Sequence, residues 1–357
     1  MISNYPIRVV SMTALRIISL FLGYRGICAT LDLQEDGILR FVTFGDSGTD
    51  GDAQSMTGSV LSSIVSTRPT AFVAMVGDNF YPCGISSVSD QAVQSAFSDV
   101  FGNIPIPFHP VLGDNDYGDA GVVGNISAQL DLSNVLQNWV MPSFFYSRIE
   151  STPSVRICTI YIDTQSLISI PDVDSRTPAE LGVLETQMEW LKTTLASPEC
   201  QSSNFIVVFG HHPIKSTGKK HMKGKSGPLI ENLTPLFEMH RIDAYFSGHD
   251  HDLQAIAPIH DCSAAAETDA ADSPSPQTEF PHCISYIVSG ASSRLRRSPK
   301  EAPIPGYHTW AVRDVIGFTL TEVISPHEMV TSFISSATGE TIHTHRIRSH
   351  LALRETR

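Results

Sequence analysis

Three apolar runs of strand length each close on a glycine and an aspartate, and this repeated ending restricts what the chain can fold into. The runs are Leu39-Arg40-Phe41-Val42-Thr43-Phe44 before Gly45-Asp46, Thr70-Ala71-Phe72-Val73-Ala74-Met75 before Val76-Gly77-Asp78, and Phe108-His109-Pro110-Val111-Leu112 before Gly113-Asp114. Helical patterns separate them, one from about Gln54 to Ser66 and one in which Val93, Phe97 and Phe101 recur at fours. Strands alternating with helical crossovers build a parallel sheet. The three carboxylates then share its carboxyl edge, where open α/β sheets hold their ligands. One Gly-Asp pair alone reads as an ordinary turn; three at successive strand ends read as a site.

Two later strands end in imidazoles instead. Phe205-Ile206-Val207-Val208-Phe209 runs into Gly210-His211-His212-Pro213, and Ala244-Tyr245-Phe246 into Ser247-Gly248-His249-Asp250-His251. His249 and His251 flank one residue, so in extended backbone both side chains leave the same face. Tyr81 follows Asp78 closely enough to turn its phenol oxygen toward the same point. Asp46, Asp78, Tyr81, Asp114, His211, His249 and His251 thus form an oxygen and imidazole set without a thiolate, which suits Fe, Mn or Zn rather than a structural zinc site. The set is too large for one tetrahedral ion and right for two ions sharing a bridge. Two ions roughly 3.5–4 Å apart activate a water and steady both the entering and the leaving oxygen in a displacement at phosphorus. Asp163 also ends a strand, Val155–Ile162, and is expected behind the ligands or in a turn rather than among them.

Phe144–Ser147 is a further expected strand, and helices are expected over about Pro178–Ala196 and Pro228–His240. Ile284–Val288, Gly317–Thr321 and Met329–Ile334 alternate as half-buried strands and suggest a second sheet packed on the first. A single domain over 36–348 is expected, with a flexible insertion at about 262–283 that is rich in Ala, Ser, Pro, Asp and Glu. A formal net charge of −13 argues against nucleic acid as a partner. Residues 1–29 read as an export signal: Arg8 and Arg16 precede the apolar core Ile17–Leu22, and small residues follow near Gly26, Cys28 and Ala29. That core is too short to span a bilayer. The mature protein is therefore expected to be soluble, secreted or lumenal (lysosome-like), without a membrane span, and monomeric. The cysteines show no CxxC spacing; Cys262 and Cys283 bracket the insertion, and a disulfide between them suits a secreted chain. Asn125-Ile126-Ser127 and Asn232-Leu233-Thr234 are glycosylation sequons.

Through Gly45-Asp46-Ser47-Gly48, Gly77-Asp78-Asn79-Phe80-Tyr81, Gly113-Asp114-Asn115-Asp116, Gly210-His211-His212-Pro213 and Gly248-His249-Asp250-His251, the sequence resembles the calcineurin-like metallophosphoesterases. Within them it is most similar to the small purple, or tartrate-resistant, acid phosphatases, and Tyr81 is the discriminating residue. Gly124–Gln129 and Asp250–Gln254 also resemble that branch, and the resemblance runs from about Leu39 to His345. It implies an α/β fold, an αββα four-layer sandwich of two mixed β-sheets flanked by helices. It also implies two metal ions: Fe3+ held by Asp46, Asp78, Tyr81 and His251, and a divalent ion (Fe2+, Zn2+ or Mn2+) held by Asp78, Asp114, His211 and His249. Asp78 would bridge them, and a metal-bound hydroxide would attack the phosphate.

The third motif departs from the family pattern, Gly-Asn-His-Asp or Gly-Asn-His-Glu. Asp114 stands where the family has a ligating Asn, and Asn115 where it has a His near the leaving group. Asn115 can hydrogen-bond a phosphate oxygen but cannot act as a general acid; His212 and His221 are the candidate replacements. Lys215, Lys219, Lys220, Lys223 and Lys225 crowd the same loop as His221 and offer local attraction for an anion. The expected activity is that of an acid phosphatase acting on phosphorylated small molecules or phosphoproteins. One alternative is a phosphatase-like binding or anchoring protein with weak or lost catalysis, for which a glideosome-associated relative in apicomplexan parasites is the precedent. The other is a phosphodiesterase of the same superfamily.

Overall fold

The computed structural model describes residues 37–119, 121–168, 178–218, 226–259, 283–295 and 304–351. The expected export signal, most of the expected insertion, His221 and the lysines from Lys219 to Lys225 lie outside the described residues. Strand β1 (Leu39–Phe44) pairs in parallel with β2 (Phe72–Val76), and β2 with β3 (Phe108–Val111). All three strands are buried along their length, as mainly apolar runs covered on both faces require, with Arg40, Thr43 and His109 the polar residues buried within them. Helix Asp52–Thr67 and a helical segment over 91–101 make the two crossovers. Val93, Phe97 and Phe101 all face inward, as their spacing predicts. A two-residue hairpin, β4 (Gly118–Asp119) with β5 (Val122–Val123), follows β3.

The second sheet uses β6 (Tyr146–Ser151), β7 (Arg156–Tyr161), β8 (Phe205–Phe209), β9 (Ala244–Ser247), β10 (Leu253–Pro258), β11 (Ser285–Ser289) and β12 (Tyr307–Val312). Their order is β12-β10-β11-β9-β8-β7-β6, with β11, β9, β8 and β7 parallel. The chain then returns through β13 (Gly317–Ser325), β14 (Glu328–Ser335) and β15 (Thr341–Arg348) to extend the first sheet, whose order is β15-β14-β13-β1-β2-β3. The expectation that Ile284–Val288, Gly317–Thr321 and Met329–Ile334 together build a second sheet is thus corrected. Only the first of them joins it; β13 and β14 pair antiparallel next to β1. Alternation reveals that one face is buried, but either sheet satisfies that demand equally. The histidine-bearing strands β8 and β9 belong to the sheet opposite the acidic ones.

The two sheets pack face to face through aromatic side chains. Phe41 stacks on Phe72 at 5.2 Å and meets Phe209 and Phe246 of the second sheet edge-on at 5.8 and 5.7 Å. On the outer face of the second sheet, Leu191 and Leu195 of helix Pro178–Ala196, with Leu229, Leu233 and Phe237 of helix Gly227–His240, cover Ile160, Ile206 and Val208. Leu61, Phe97 and Phe101 pack with the first sheet. The result is the expected αββα order of layers. Cys158 on β7 is disulfide-bonded to Cys200, a pairing the spacing did not disclose, and Cys283 is also disulfide-bonded; Cys262, its expected partner, lies outside the described residues.

His109 on β3 is enclosed by the rings of Phe72, Tyr161 and Tyr146, and its Nε2 has no hydrogen-bond partner among the described residues. Burial, with the nearby Arg148 charge, pushes its pKa down to about 3. The folded state therefore holds this imidazole neutral while the unfolded chain protonates near 6.5, so its contribution to stability falls as pH drops from 6.5 toward about 3. We expect the stability of the wild type to fall more steeply across that window than that of His109→Phe, by about 1.4 kcal/mol per pH unit. Denaturant titrations at stepped pH measure this, and parallel slopes would refute it.

Candidate metal centre

Five strand ends, three from the first sheet and two from the second, meet at one rim of the sandwich. Asp46, Asp78 and His249 adopt φ values of 58°, 54° and 66°, the left-handed region. For residues other than glycine this costs of order 1–3 kcal/mol each and persists only where surroundings over-determine it. Here they do: the Asp46 amide donates to the Gly77 carbonyl at 2.9 Å, and the His249 amide donates to the Asp46 carboxylate at 2.8 Å. Glycine is required beside them. A Cβ on Gly77 would stand 2.6 Å from the His211 imidazole, and one on Gly113 would stand 2.2 Å from the Asp78 carboxylate. Without those two glycines the second sheet could not bring His211 against the acids.

The side chains divide into two groups about Asp78. On one side the Tyr81 hydroxyl lies 2.8 Å from Asp78 Oδ2 and 3.0 Å from Asp46 Oδ1, while His251 Nε2 lies 3.1 Å from the same Asp46 oxygen. On the other, Asp114 Oδ1 is 3.0 Å from both His211 Nε2 and His249 Nδ1, and Asp78 Oδ1 is 3.4 Å from His211 Nε2. Asp46 and Asp78 are fully buried, His251 is 12% exposed and Asp114 34%, so the groups open to solvent on the Asp114 side.

This donor set fits cations. One phenol proton faces both Asp46 and Asp78, and one imidazole pair faces both Asp78 and Asp114, so there are fewer protons than lone pairs. His211 Nδ1 stands 2.8 Å from the Val76 carbonyl, which can only accept. That nitrogen therefore carries the proton, and in the neutral ring Nε2 offers its lone pair to the cluster, the arrangement found behind metal-bound histidines. The electrostatics agree. Burial raises the Asp78 carboxyl to about 7, with Asp46 and Asp114 adding to the rise against the His211 charge. Burial alone would lower His211, yet Asp78, Asp114 and Asp46 drive it up to about 10. Tyr81 is held well above the ordinary phenol by burial and by Asp46 and Asp78. Without added positive charge the cluster must take up protons it would otherwise release.

A family model described as calcineurin-like phosphoesterase matches residues 39–253, which carry every one of these strand ends. The chain belongs to the calcineurin-like phosphoesterase family. It is similar to tartrate-resistant acid phosphatase type 5 of Mus musculus, 29% identical over 319 residues, with 84% of this chain and 87% of that protein covered. It is also similar to glideosome-associated protein 50 of Plasmodium falciparum, 26% identical over 346 residues, with 87% and 76% covered. Among solved structures, that titled "GAP50 the anchor in the inner membrane complex of Plasmodium" shares the fold at a TM-score of 0.68 and 24% identity, over 90% of this chain and 94% of that one. Membership in this phosphoesterase family, with purple acid phosphatase relatives, implies a two-metal site, and the clusters Asp46-Asp78-His211 and Asp114-His211-His212-His249 are where the structure gathers ligands.

All seven candidate ligands of this phosphoesterase thus converge. The other expected residues fall differently. Asn115 turns its side chain onto Asp78, donating from Nδ2 to Oδ2 at 2.7 Å and from its amide to Oδ1 at 2.9 Å, rather than standing free for a phosphate. His212 is buried behind His249, ring centroids 4.4 Å apart, with Nδ1 2.9 Å from the Thr164 hydroxyl. Lys215 points away from the acids and lies over the rings of Tyr307 and Tyr286, at 4.7 and 5.7 Å. Asp163 stays outside the cluster, accepting from the Tyr117 hydroxyl and from the amides of Gln165 and Ser166.

Asp116 has a role that sequence reasoning missed. Fully buried, it accepts from the amides of Asn79, Phe80 and Gly113 and from Gln129 Nε2, tying the second acidic loop to the third. Gln129 in turn accepts from Asn79 Nδ2 at 3.0 Å. An acid two places after Asp114 was visible in the sequence, as was Gln129 at the end of the Gly124–Gln129 stretch, but nothing local joined the two. Asp116→Ala would leave three buried amides unsatisfied, at about 1–3 kcal/mol each. We expect a stability loss of roughly 3 kcal/mol or more in denaturant titration; a loss under about 1 kcal/mol would show that the clamp is dispensable.

Proposed function

We propose that the protein is a metal-dependent acid phosphatase that hydrolyses phosphate monoesters, of small molecules or of phosphoproteins, at a two-ion centre. The observation that carries this reading is the placing of Asp78, whose two oxygens address opposite halves of the cluster. Asp46, Asp78, Tyr81 and His251 would hold one ion, and the phenolate and carboxylate oxygens suit Fe3+. Asp78, Asp114, His211 and His249 would hold a divalent ion, Fe2+, Zn2+ or Mn2+. When bound, the ions supply positive charge to the phosphate and lower the pKa of water toward 7.

The chain's own residues contribute position and protonation. Asn115 fixes both oxygens of Asp78 and so sets the orientation of the shared ligand. Asp114 adds a charge where the family has a neutral amide, favouring a hard divalent ion such as Mn2+ on its side. Asn115 cannot act as the proton donor that the family's histidine supplies, and where nothing replaces it the loss costs roughly 10²–10⁴ in rate. His212 and His221 remain the candidates to restore it. The buried Cys158–Cys200 disulfide supports an oxidising, secreted or lumenal setting, together with the signal-like residues 1–29.

A second reading, an anchoring protein with weak catalysis, draws on the altered Asp114-Asn115 pair and on similarity to the Plasmodium glideosome-associated protein. Elemental analysis, the visible spectrum and hydrolysis of a generic aryl phosphate separate the two. The phosphatase reading expects two ions per chain, a tyrosinate-to-iron absorption band and measurable turnover at acid pH. Asp78→Ala should abolish turnover and band together; activity that survives it sinks the mechanism. Asn115→His should raise kcat by roughly 10²-fold if the missing proton donor limits the rate. An unchanged kcat would assign the deficit elsewhere.

A further inference from the structure

Beyond β11 the chain runs alongside the first acidic motif. Ser289, Ser292 and Ser293 donate their hydroxyls to the carbonyls of Thr43, Gly45 and Asp46, and the Gly45 amide returns a bond to the Ser289 carbonyl. Arg294 therefore starts from a fixed base. Its guanidinium lies on the face of the Tyr81 ring, with Cζ 3.7 Å from the centroid. Stacking occupies the face of the guanidinium and leaves its in-plane N–H donors available. Among the described residues Arg294 makes no ion pair and no side-chain hydrogen bond. Asp46 and Asp78 are fully buried and meet the Tyr81 hydroxyl at the ring's edge, whereas the cation lies over its face. Partly buried, Arg294 is thus held over the aromatic wall of the site, with no carboxylate partner among the described residues.

We propose that Arg294 is the arm that binds the substrate's phosphate and favours the dianionic group of a monoester over the single charge of a diester. The substrate class rests on the phosphatase reading. A planar fork of donors matches two phosphate oxygens at once, which an ammonium cannot do. The stacked ring keeps the fork oriented before the anion arrives, so little rotamer entropy is lost on binding. Arg294 also balances a centre to which Asp114 has added a negative charge.

The test is calorimetric titration of inorganic phosphate into the metal-loaded full chain, as wild type, Arg294→Gln and Arg294→Lys, with metal content measured on each sample. Arg294→Gln should weaken phosphate binding roughly ten- to hundredfold at wild-type metal content, and Arg294→Lys by less. In turnover, Arg294→Gln should raise KM for an aryl monoester more than for the matching diester, with the smaller change in kcat. Unchanged phosphate affinity in Arg294→Gln overturns the proposal, and so does a loss of metal in step with the loss of phosphate, which would make Arg294 a support for Tyr81. Wild type that binds phosphate through Arg294 without turning over esters would keep the arm and remove the phosphatase reading. Wild type that binds no phosphate would remove both.

Discussion

Mutual repulsion among buried carboxylates governs this molecule. Asp46, Asp78 and Asp114 are brought together at one rim, two of them with no exposure to solvent. Like charges at that range cannot all stay ionised without compensation. The protein answers with imidazoles from the opposite sheet, with the Tyr81 hydroxyl, and with the backbone amides of His249 and Asn115, which donate to Asp46 and Asp78. Burial first and the neighbouring carboxylates second push Asp78 and Tyr81 up, those carboxylates also raise His211, and added cations are the remedy that leaves the ligands deprotonated.

Everything that supports the centre follows from holding that arrangement rigid. Left-handed backbone at Asp46, Asp78 and His249 stores strain, and the Asp116 clamp, the Gly77 and Gly113 approaches and the serine row after β11 each remove a way of relieving it. The aromatic layer between the sheets sets the distance across which the two sets of strand ends must meet. A sandwich suits this task because each sheet presents its parallel strand ends at one rim, and two rims of different chemistry, one acidic and one basic, face each other.

The third motif gives the centre its asymmetry. On the Tyr81 side stand Asp46, Tyr81 and His251, and Arg294 covers the ring. On the Asp114 side stand His211, His249 and Asn115, which gives its donors to Asp78. The chain is similar both to an acid phosphatase and to a glideosome-associated protein, so the choice proposed between activity and anchoring turns on this loop rather than on the fold.

Much of this was legible in the chain itself. Apolar runs ending in Gly-Asp or Gly-His need only local information, since a strand that stops at glycine must present the next side chain at the sheet's edge; hence Asp46, Asp78, Asp114, His211 and His249 could be named from their positions, and Tyr81 and His251 from their spacing to Asp78 and His249. Pairing was not legible. Gly317–Thr321 and Met329–Ile334 show only that one face is buried, and the packing of two sheets decided that they extend the first rather than form the second. Roles set by long-range contact were hidden for the same reason. Asp116 shows its role only where the amides of Asn79 and Phe80 from the second acidic loop join that of Gly113 on its carboxylate, and Arg294 only where the fold lays it on Tyr81. The sequence by itself determined which atoms could bind metal; the tertiary structure decided which of them share Asp78, because only the meeting of two sheet edges brings residues so distant in sequence within about 3 Å.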